Sequence, residues 1–496
     1  MERRILGTEC EYALLCSLGP KAERSTPYGE ALLNRMKSLS GLLVEALDGK
    51  GLPRAGEFLG NGGRFYIDRG GHPEYATPEC TAVKDLVAHE KAGDRIVQSL
   101  VEAARARLAG RSDARLHVFK NNVDSFGTTY GGHENYLVTQ QAMDRIHLII
   151  PFLVTRQVFA GAGKVVNSRE QGEPSYQLTQ RSDFIDRVYS DRTSQVRGII
   201  NIRKREIPRQ GQARRLHVIF GDSNMCEHAI ALKIGVTAIV LTLLEEGMLD
   251  QTPELVRPVE SLKAVSHNMS ASLELQGHGR SCTALDIQRT YLEKAHRFYS
   301  ARRAGGEVED ILELWGHTID GLQSLRLSEG NGRLEDDPAD LKRRLDWVLK
   351  LWLINRGREQ RTDRIDCGSA RLLDLHYHGL DPKSGLFLRC EHLDLVDLMV
   401  GEDEIGHAVK ESPSDTRAWL RGMLIRAAMG RNVEVSVESW DRMRIAAKPE
   451  SELRSTHPFR RLHRIANSLE IDMGDPFMAE QKSVFEKAEA FLAAWD

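Results

Sequence analysis

Short stretches of alternating apolar and polar residues dominate the first half of the chain, and longer helical patterns follow in the second half. Alternation with a period of two predicts strands, whereas apolar residues three and four apart predict amphipathic helices. We predict strands at 3–15, 61–68, 116–124, 133–139, 197–203 and 214–222. Helices are predicted around 30–48, at 83–110 and over most of the chain after 250. This order indicates an α+β protein with a largely antiparallel sheet and helices to one side.

The apolar run 231–249 is the most hydrophobic part of the chain. It contains Lys233, Glu245 and Glu246 and is short for a membrane span, so we interpret it as a buried core helix. The segments HYH (376–378) and CEH (390–392) lack a third motif with metal-ligand spacing, and we predict that they lie in surface loops.

A smaller C-terminal unit is predicted after a hinge at 410–419, which contains one proline, two serines and four charged residues. This hinge divides the chain into domains at 1–412 and 413–496. The smaller unit shows one strand-like run at 433–443 and a last helix at 480–495.

The composition is that of an ordinary soluble globular protein, with 496 residues, 41% hydrophobic and 28% charged. A net charge of −3 gives no signal for a nucleic acid or a membrane as partner. The 7 cysteines include no C-x-x-C pair, which argues against a disulfide framework or a structural zinc site. The N-terminus carries no apolar signal core. We expect a cytoplasmic protein.

Polar residues occupy alternate positions of two predicted strands. Because residues two apart in a strand point the same way, Glu9 and Glu11 share a face, and so do Arg64, Tyr66 and Asp68. If both strands lie in one sheet, their carboxylates line one surface, and unpaired buried charges are costly. Bound Mg²⁺ would relieve the repulsion and would share its coordination with substrate phosphates. The alternative is a solvated sheet face, but the number of polar residues favours a functional site.

Two histidines extend this candidate site. His133 and Asn135 share one face of a strand, and Arg215 and His217 share one face of another. A lone strand histidine is more often structural, but two beside charged or amide neighbours indicate a phosphate or metal role. The basic stretch 203–215 is interpreted equally well as a solvated loop or as a contact for an acidic partner or phosphate.

Several longer motifs carry a resemblance to a known family. They are GTECEY, NGGRFYID, HPEYATPEC, KNNVDS, GGHENYL, PFLVTRQ, RRLHVIFGDSNM and TRAWLRG, in this order along the chain. With them the chain resembles the Pup ligase and Pup deamidase/depupylase family of the bacterial Pup–proteasome pathway over nearly its whole length. The resemblance implies a glutamine-synthetase-like fold, in which a curved antiparallel sheet holds ATP and Mg²⁺, helices lie behind it, and a small C-terminal domain follows.

The resemblance also implies roles for individual residues. The cation would be held by Glu9, Tyr66 and Glu74, with Glu11, His133 and His217 beside them; ATP would be contacted by Arg64, Thr77, Trp440 and Arg215; and Asp68 would be the catalytic base.

The implied reaction is the ATP-dependent joining of a Pup-like modifier to lysines of protein substrates. In such ligases ATP phosphorylates the side-chain carboxylate of Pup's C-terminal glutamate, and a lysine attacks the acyl phosphate. The HPEYAT motif and the short span between Glu11 and Arg64 favour the ligase branch, whereas KNNVD, RGIIN and SWD favour the deamidase branch. Both branches carry an RDEPHAD-type loop where this chain has the basic RKREIPRQGQA. Depupylation, phosphate transfer to a different acceptor, and a nucleotide-binding scaffold without turnover remain alternatives.

Overall fold

The structure is a computed structural model of the chain. It describes residues 3–17, 30–49, 52–108, 115–124, 127–167, 174–193, 195–202, 213–269, 273–277, 281–302, 305–328, 333–360, 364–429, 431, 433–447, 468–473, 475–477 and 481–493. The basic stretch singled out in the sequence therefore lies outside the described residues from 203 to 212.

The strands and helices follow one another along the whole described chain. The strands are β1 Leu6–Glu11, β2 Ala13–Ser17, β3 Arg54–Ala55, β4 Phe58–Leu59, β5 Arg64–Ile67, β6 Pro73–Ala76, β7 Arg115–Phe119, β8 Gly132–Thr139, β9 Lys164–Asn167, β10 Pro174–Gln177, β11 Arg187–Ser190, β12 Gly198–Asn201, β13 Ala213–Val218, β14 Glu274–Gln276, β15 Ser281–Thr283, β16 Val433–Ser439, β17 Arg442–Ala447 and β18 Ser468–Asp472. The helices are α1 Glu30–Gly49, α2 Val83–Leu108, α3 Gln140–Asp144, α4 Ile150–Thr155, α5 Gln157–Ala160, α6 Glu227–Ala231, α7 Thr237–Glu245, α8 Pro258–His267, α9 Ala284–Ser300, α10 Gly306–Ser324, α11 Ala339–Arg344, α12 Asp346–Glu359, α13 Cys367–Tyr377, α14 Leu386–His392, α15 Glu402–Lys410, α16 Arg417–Ala427 and α17 Gln481–Ala493.

The largest sheet of the described chain has nine strands in the order β11-β12-β13-β8-β1-β6-β5-β4-β3. Its neighbouring strands run antiparallel, except for the parallel edge pair β11 and β12. The predicted α+β class with a largely antiparallel sheet is confirmed. The two polar strands of the sequence analysis, β1 and β5, lie in this sheet with β6 between them.

One face of this sheet is apolar and is covered by helices. Leu6, Tyr136 and Leu216 belong to the same buried cluster as the side chains of α7. Phe65 and Tyr75 lie in a second cluster together with the apolar side of α2. Because side chains alternate between faces, this packing leaves a second set of polar residues on the opposite face: Glu9, Glu11, Arg64, Tyr66, His133, Asn135, Arg215 and His217.

A buried ion pair joins β8 to the helical layer. The Arg156 guanidinium donates to both oxygens of Glu134, at 2.8 Å to Oε2, and the Tyr136 hydroxyl donates to the same Oε2 at 2.6 Å. Both charged side chains are almost fully buried. Removing one member of such a pair leaves an uncompensated buried charge.

We therefore expect Arg156→Met to lower the free energy of unfolding by about 3 to 5 kcal/mol. The measurement is urea unfolding followed by far-UV circular dichroism. The double variant Glu134→Gln/Arg156→Met removes both charges and should recover part of the loss. A single variant as stable as the wild type would contradict this account of the pair.

The apolar run around 231–249 is part of the core. Among the described residues, one helical stretch, Glu227–Glu245, has the length and composition of a membrane span, and 94% of it is buried inside the protein. Lys233 lies in a π-helical turn, Leu232–Val236, where its ammonium donates to the Asp222 carbonyl and to Asn224 Oδ1, each at 2.8 Å. These bonds explain how the run tolerates a lysine, and the prediction of a buried core helix is confirmed.

Two predictions of local structure are wrong. The HYH segment ends helix α13 and the CEH segment lies in α14, and Tyr377 and His378 are fully buried. Internal partners compensate for part of this burial: the Tyr377 hydroxyl donates to Asp346 at 2.8 Å, and the Lys350 ammonium lies 2.8 Å from His378 Nε2. The C-terminal part contains three strands, β16 to β18, rather than one.

These three strands pack with α16 and α17 around a separate small hydrophobic cluster. Strands β16 and β17 form a hairpin whose turn contains Trp440. The predicted last helix is confirmed as α17. Helix α16, which begins directly after the segment 411–416, packs both on this cluster and on Phe58 of the main sheet.

Candidate active site

Strand register brings the polar residues of four strands onto one face. Glu9 is paired with His133 on one side and with Ala76 on the other, and Ala76 is paired with Arg64. Two residues further along β1, Glu11 is paired with Glu74, and Glu74 is paired in turn with Tyr66. Since directly opposed residues of an antiparallel pair project to the same side, these residues line a single surface.

Glu9 lies at the centre of a group of donors. Its Oε1 accepts hydrogen bonds from Arg215 Nη2 at 2.8 Å and from Asn135 Nδ2 at 3.2 Å. Its Oε2 lies 3.3 Å from His133 Nδ1 and 3.6 Å from His217 Nε2. Burial acts to raise the pKa of Glu9, but Arg215 and the two histidines outweigh it and hold the pKa well below its ordinary value. Glu9 is therefore a carboxylate at neutral pH.

Glu74 has the opposite electrostatic environment. Its side chain is 4% exposed, and burial together with the charges of Glu11 and Glu9 raises its pKa well above the ordinary value. The Tyr66 hydroxyl is hydrogen-bonded to Glu74, and burial beside Glu9 and Glu74 raises the pKa of this phenol as well. The phenol is therefore neutral, and this part of the face carries more negative charge than its protein neighbours compensate.

Asp68 lies just beyond the end of β5 in a tight turn. The His72 backbone N–H donates to Asp68 Oδ1 at 2.6 Å, and the His72 ring lies 3.6 Å from the same oxygen and 3.9 Å from Glu11 Oε2. The His72 ring is stacked on Tyr130 with 4.5 Å between ring centroids. Burial acts to raise the pKa of Asp68, but hydrogen bonds from His72 and from the Gly70 backbone lower it below the ordinary value. A fixed, ionised carboxylate therefore faces the edge of the site.

The donor set fits a divalent cation. Within the described residues, three groups have ligand atoms no more than 4.8 Å apart: Glu9 with His133 and His217, Glu11 with Asp68 and His72, and Glu11 with Glu74 and His133. Neither ring nitrogen of the buried His217 has a hydrogen-bond partner among the described residues. Burial and then Arg215 lower the pKa of His217 to about 3, so this imidazole stays neutral. The crowded carboxylates match the oxygen ligands that Mg²⁺ prefers.

The four residues expected to contact a nucleotide lie in different environments. Arg64 is paired with Glu57 through Nε at 3.0 Å and stacks over Tyr66, whereas Arg215 is bonded to Glu9 and to Asn135 Oδ1 at 2.6 Å. Thr77 is buried, and its hydroxyl accepts from the Thr8 N–H at 3.0 Å. Trp440 is half-buried, with its ring edge against Phe58 at 5.1 Å between centroids.

The sequence did not predict the residues that connect the expected nucleotide contacts Arg64 and Trp440. Phe58 lies between Arg64 and Trp440, and Arg421 stacks over both aromatic rings. Arg421 is in the motif TRAWLRG, but its partners are distant in sequence, and no periodic pattern connects them. The stack of Tyr130 on His72 was missed for the same reason.

Fold and site together define a class of protein. The antiparallel sheet with a carboxylate-lined polar face and helices on the other face is the architecture of the enzyme class that the sequence resemblance implies, the glutamine-synthetase-like fold. The chain belongs to a family within this class: the family described as Pup-ligase protein matches residues 4–444.

Relatives from three bacteria are similar to nearly the whole chain. Pup–protein ligase of Acidimicrobium ferrooxidans is 36% identical over 465 residues, which are 92% of this chain and 96% of that protein. Pup–protein ligase of Kribbella flavida is 36% identical over 93% of this chain and 97% of the relative. The ligase of Mycobacteroides abscessus is 34% identical, with coverage of 93% and 97%.

Two solved structures have the same fold. One is the complex of the prokaryotic ubiquitin-like protein Pup with its ligase PafA, with a TM-score of 0.82 and 30% identity over 100% of this chain and 93% of that chain. The other is the Pup ligase PafA in complex with ADP, with a TM-score of 0.76 and 30% identity over 97% and 98% of the two chains.

Proposed function

We propose that this chain is an ATP-dependent ligase that joins a Pup-like modifier through a glutamate side chain to lysines of protein substrates. The observation that carries the proposal is the carboxylate-lined face formed by Glu9, Glu11 and Glu74, with Asp68 at its edge, in a chain that belongs to the Pup-ligase family. The relatives are named as Pup–protein ligases, and one similar structure contains ADP.

Mg²⁺ is part of this proposal. Glu9, Glu11 and Glu74 would hold it, with Tyr66, His133 and His217 around them, because these residues supply crowded oxygen donors and a neutral imidazole without a partner. When bound, the cation would neutralise negative charge on the transferring phosphoryl group, which is where most catalysis of this reaction lies.

Two arginines would bind the phosphates, and Asp68 would take part in the transfer to lysine. Arg64 and Arg215 would exchange their present carboxylate partners for phosphate oxygens, since a guanidinium binds either group with the same fork of N–H donors. After the γ-phosphate has passed to the modifier's carboxylate, the lysine nitrogen attacks the acyl carbon and phosphate leaves. Asp68 would accept a proton from the lysine ammonium at its carboxylate oxygen, which its lowered pKa keeps available.

Three further expectations belong to the same proposal. A division at residues 412 and 413 would make α16 the first helix of the C-terminal domain. The basic stretch 203–215 would contact an acidic partner. A cytoplasmic location fits the buried free thiols of Cys10, Cys80, Cys226 and Cys390.

The test is a conjugation assay with purified chain, ATP, Mg²⁺, a Pup-like protein that ends in glutamate, and a lysine-bearing acceptor. We expect a conjugate of added mass, with an isopeptide bond to lysine in the mass spectrum and release of ADP. Controls are a modifier without its last residue and an acceptor without lysines. Cleavage of a purified conjugate without its formation would instead identify a depupylase, and labelled phosphate on another acceptor would identify a phosphotransferase.

Trp440 should govern nucleotide affinity. We expect Trp440→Ala to raise the Kd for ADP about 5- to 100-fold, because stacking of a base on an aromatic ring contributes about 1–3 kcal/mol. Trp440→Phe should retain most of the affinity. The measurement is titration with a fluorescent ADP analogue, with Trp352→Ala as the matched control because Trp352 stacks with Lys342 and Arg356 instead. Unchanged affinity in Trp440→Ala would exclude a stacking role.

A further inference from the structure

Helix α16 lies directly against the glycine-rich loop that leads into β5. A Cβ placed on Gly422 would lie 2.5 Å from the carbonyl oxygen of Gly60 and 3.1 Å from the Gly62 nitrogen. Gly62 itself has a φ of +78°, and a Cβ there would lie 2.9 Å from the Ala418 carbonyl oxygen. The helix and the loop therefore meet backbone to backbone, which only glycine permits at this spacing. Because Arg64 follows the loop directly, α16 sets where β5 begins.

Arg421 holds this contact together. Its side chain is fully buried and donates to the Gly62 carbonyl from Nη2 at 2.7 Å and from Nε at 3.2 Å. Its Nη1 donates to the Trp440 carbonyl at 2.8 Å, and the guanidinium pairs with both oxygens of Glu79, two residues after Thr77. One side chain thus binds the loop before β5, the segment after β6 and the turn that carries Trp440.

The same guanidinium also lies against aromatic rings. It is 5.2 Å from the Phe58 ring centroid and 4.9 Å from that of Trp440, and these two rings meet edge to face. The guanidinium of Arg64 also lies over the Phe58 ring, 5.5 Å from its centroid. A continuous row of cations and rings therefore joins Trp440 to Arg64, and desolvated contacts of this kind are favourable.

We propose that Arg421 is a positioning residue for the nucleotide: by binding Glu79 and the carbonyls of Gly62 and Trp440 together, it fixes Trp440 relative to Arg64 and thereby sets the affinity for ATP. This inference rests on the proposed function, because Trp440 and Arg64 are nucleotide contacts only there. Lysine cannot replace the arginine, since an ammonium lacks the planar fork that reaches three partners. The chemical step depends on Asp68, which Arg421 does not contact among the described hydrogen bonds.

Arg417 provides a matched control. It also pairs with Glu79, through Nε at 2.7 Å, but among the described residues no hydrogen bond joins it to Gly62 or Trp440. Arg417→Gln therefore removes an ion pair with the same carboxylate and leaves the link between the loop and Trp440 in place.

The experiment measures the Kd for a fluorescent ADP analogue and, separately, kcat at saturating ATP. We expect Arg421→Lys to weaken ADP binding about tenfold or more and to raise the KM for ATP in parallel, with kcat within about threefold of the wild type. Arg417→Gln should bind ADP within about twofold of the wild type. In a Trp440→Ala background, Arg421→Lys should have little further effect, because the tryptophan that it positions is absent.

A second variant tests the same inference if the Arg421→Lys protein does not fold. Gly422→Ala removes no hydrogen-bonding group but forces α16 away from the loop, and it should weaken ADP binding in the same way. A folded Arg421→Lys or Gly422→Ala protein with wild-type ADP affinity would overturn the inference. Equal weakening by Arg417→Gln would also overturn it, because Glu79 pairing alone would then be responsible. A wild-type chain that fails to bind ADP would instead overturn the proposed function.

Discussion

Asp68→Asn is expected to reduce conjugation to lysine by about 10²- to 10⁴-fold, the usual contribution of a general base. The amide keeps the size of the side chain and can still accept the hydrogen bond that the His72 N–H donates to Oδ1 at 2.6 Å. The turn should therefore keep its shape, and the affinity for ADP should change little. The measurement is the initial rate of conjugate formation at saturating ATP and modifier.

The matched control for Asp68 is Asp183→Asn. Asp183 is also a partly buried aspartate beside a histidine, with 2.6 Å between its Oδ1 and His267 Nε2, but it is not among the clustered carboxylates of the site. Its substitution should leave the conjugation rate unchanged. Conjugation by Asp68→Asn at the wild-type rate would assign proton removal to another group, and a parallel loss of ADP binding would show that Asp68 acts on the nucleotide instead.

Glu74→Gln should have two effects of opposite sign. In protein stripped of metal, the substitution removes a carboxyl group whose ionisation is opposed by burial and by the charges of Glu11 and Glu9, so the Tm should rise by about 1–2 °C. With Mg²⁺ and ADP present, the same variant lacks a cation ligand, and conjugation should fall about 10²-fold or more. The measurements are thermal unfolding with and without Mg²⁺–ADP, and the conjugation rate over a range of Mg²⁺ concentrations.

The sign of the first effect follows from the raised pKa of Glu74. A carboxyl group with a higher pKa in the folded than in the unfolded state stabilises the fold at low pH and loses that contribution as the pH rises through the folded pKa. Above the pKa of the unfolded chain this carboxyl group therefore opposes folding, and glutamine relieves that cost. Glu404→Gln is the control, since this exposed carboxylate pairs with Lys84. A Glu74→Gln protein that is less stable without metal would contradict the repulsion.

The shared polar face could be predicted from the sequence because a strand has a fixed period of two. That period places Glu9 with Glu11 and Arg64 with Tyr66 without any knowledge of the fold. It does not show that β6 separates the two strands, because pairing between strands depends on long-range packing. The roles of individual residues rest on the family resemblance, and the register shows that Glu9, Glu11, Glu74 and Tyr66 lie on one face.

The side-chain network around α16 could not be predicted. Arg421 and Glu79 are 342 positions apart, and their pairing depends on how a C-terminal helix docks on the sheet. The burial of Tyr377 and His378 was not predicted for a related reason: it depends on internal partners such as Asp346 and Lys350, which are distant in sequence. Local patterns report which face a residue occupies, but they do not report its distant partners.

The several hydrogen-bond donors that contact the Glu9 carboxylate have a consequence for mutational scanning and for sequence divergence among relatives. Because Arg215, Asn135 and His133 all bond to its two oxygens, loss of any one leaves the carboxylate with other partners, so the fold should tolerate single substitutions better than the site's importance suggests. The cost to stability should appear mainly when two are lost together, as strong epistasis between positions that each look replaceable in the fold. Variant libraries that combine changes at Asn135, His133 and Arg215 will therefore report on this site more faithfully than one-at-a-time scans.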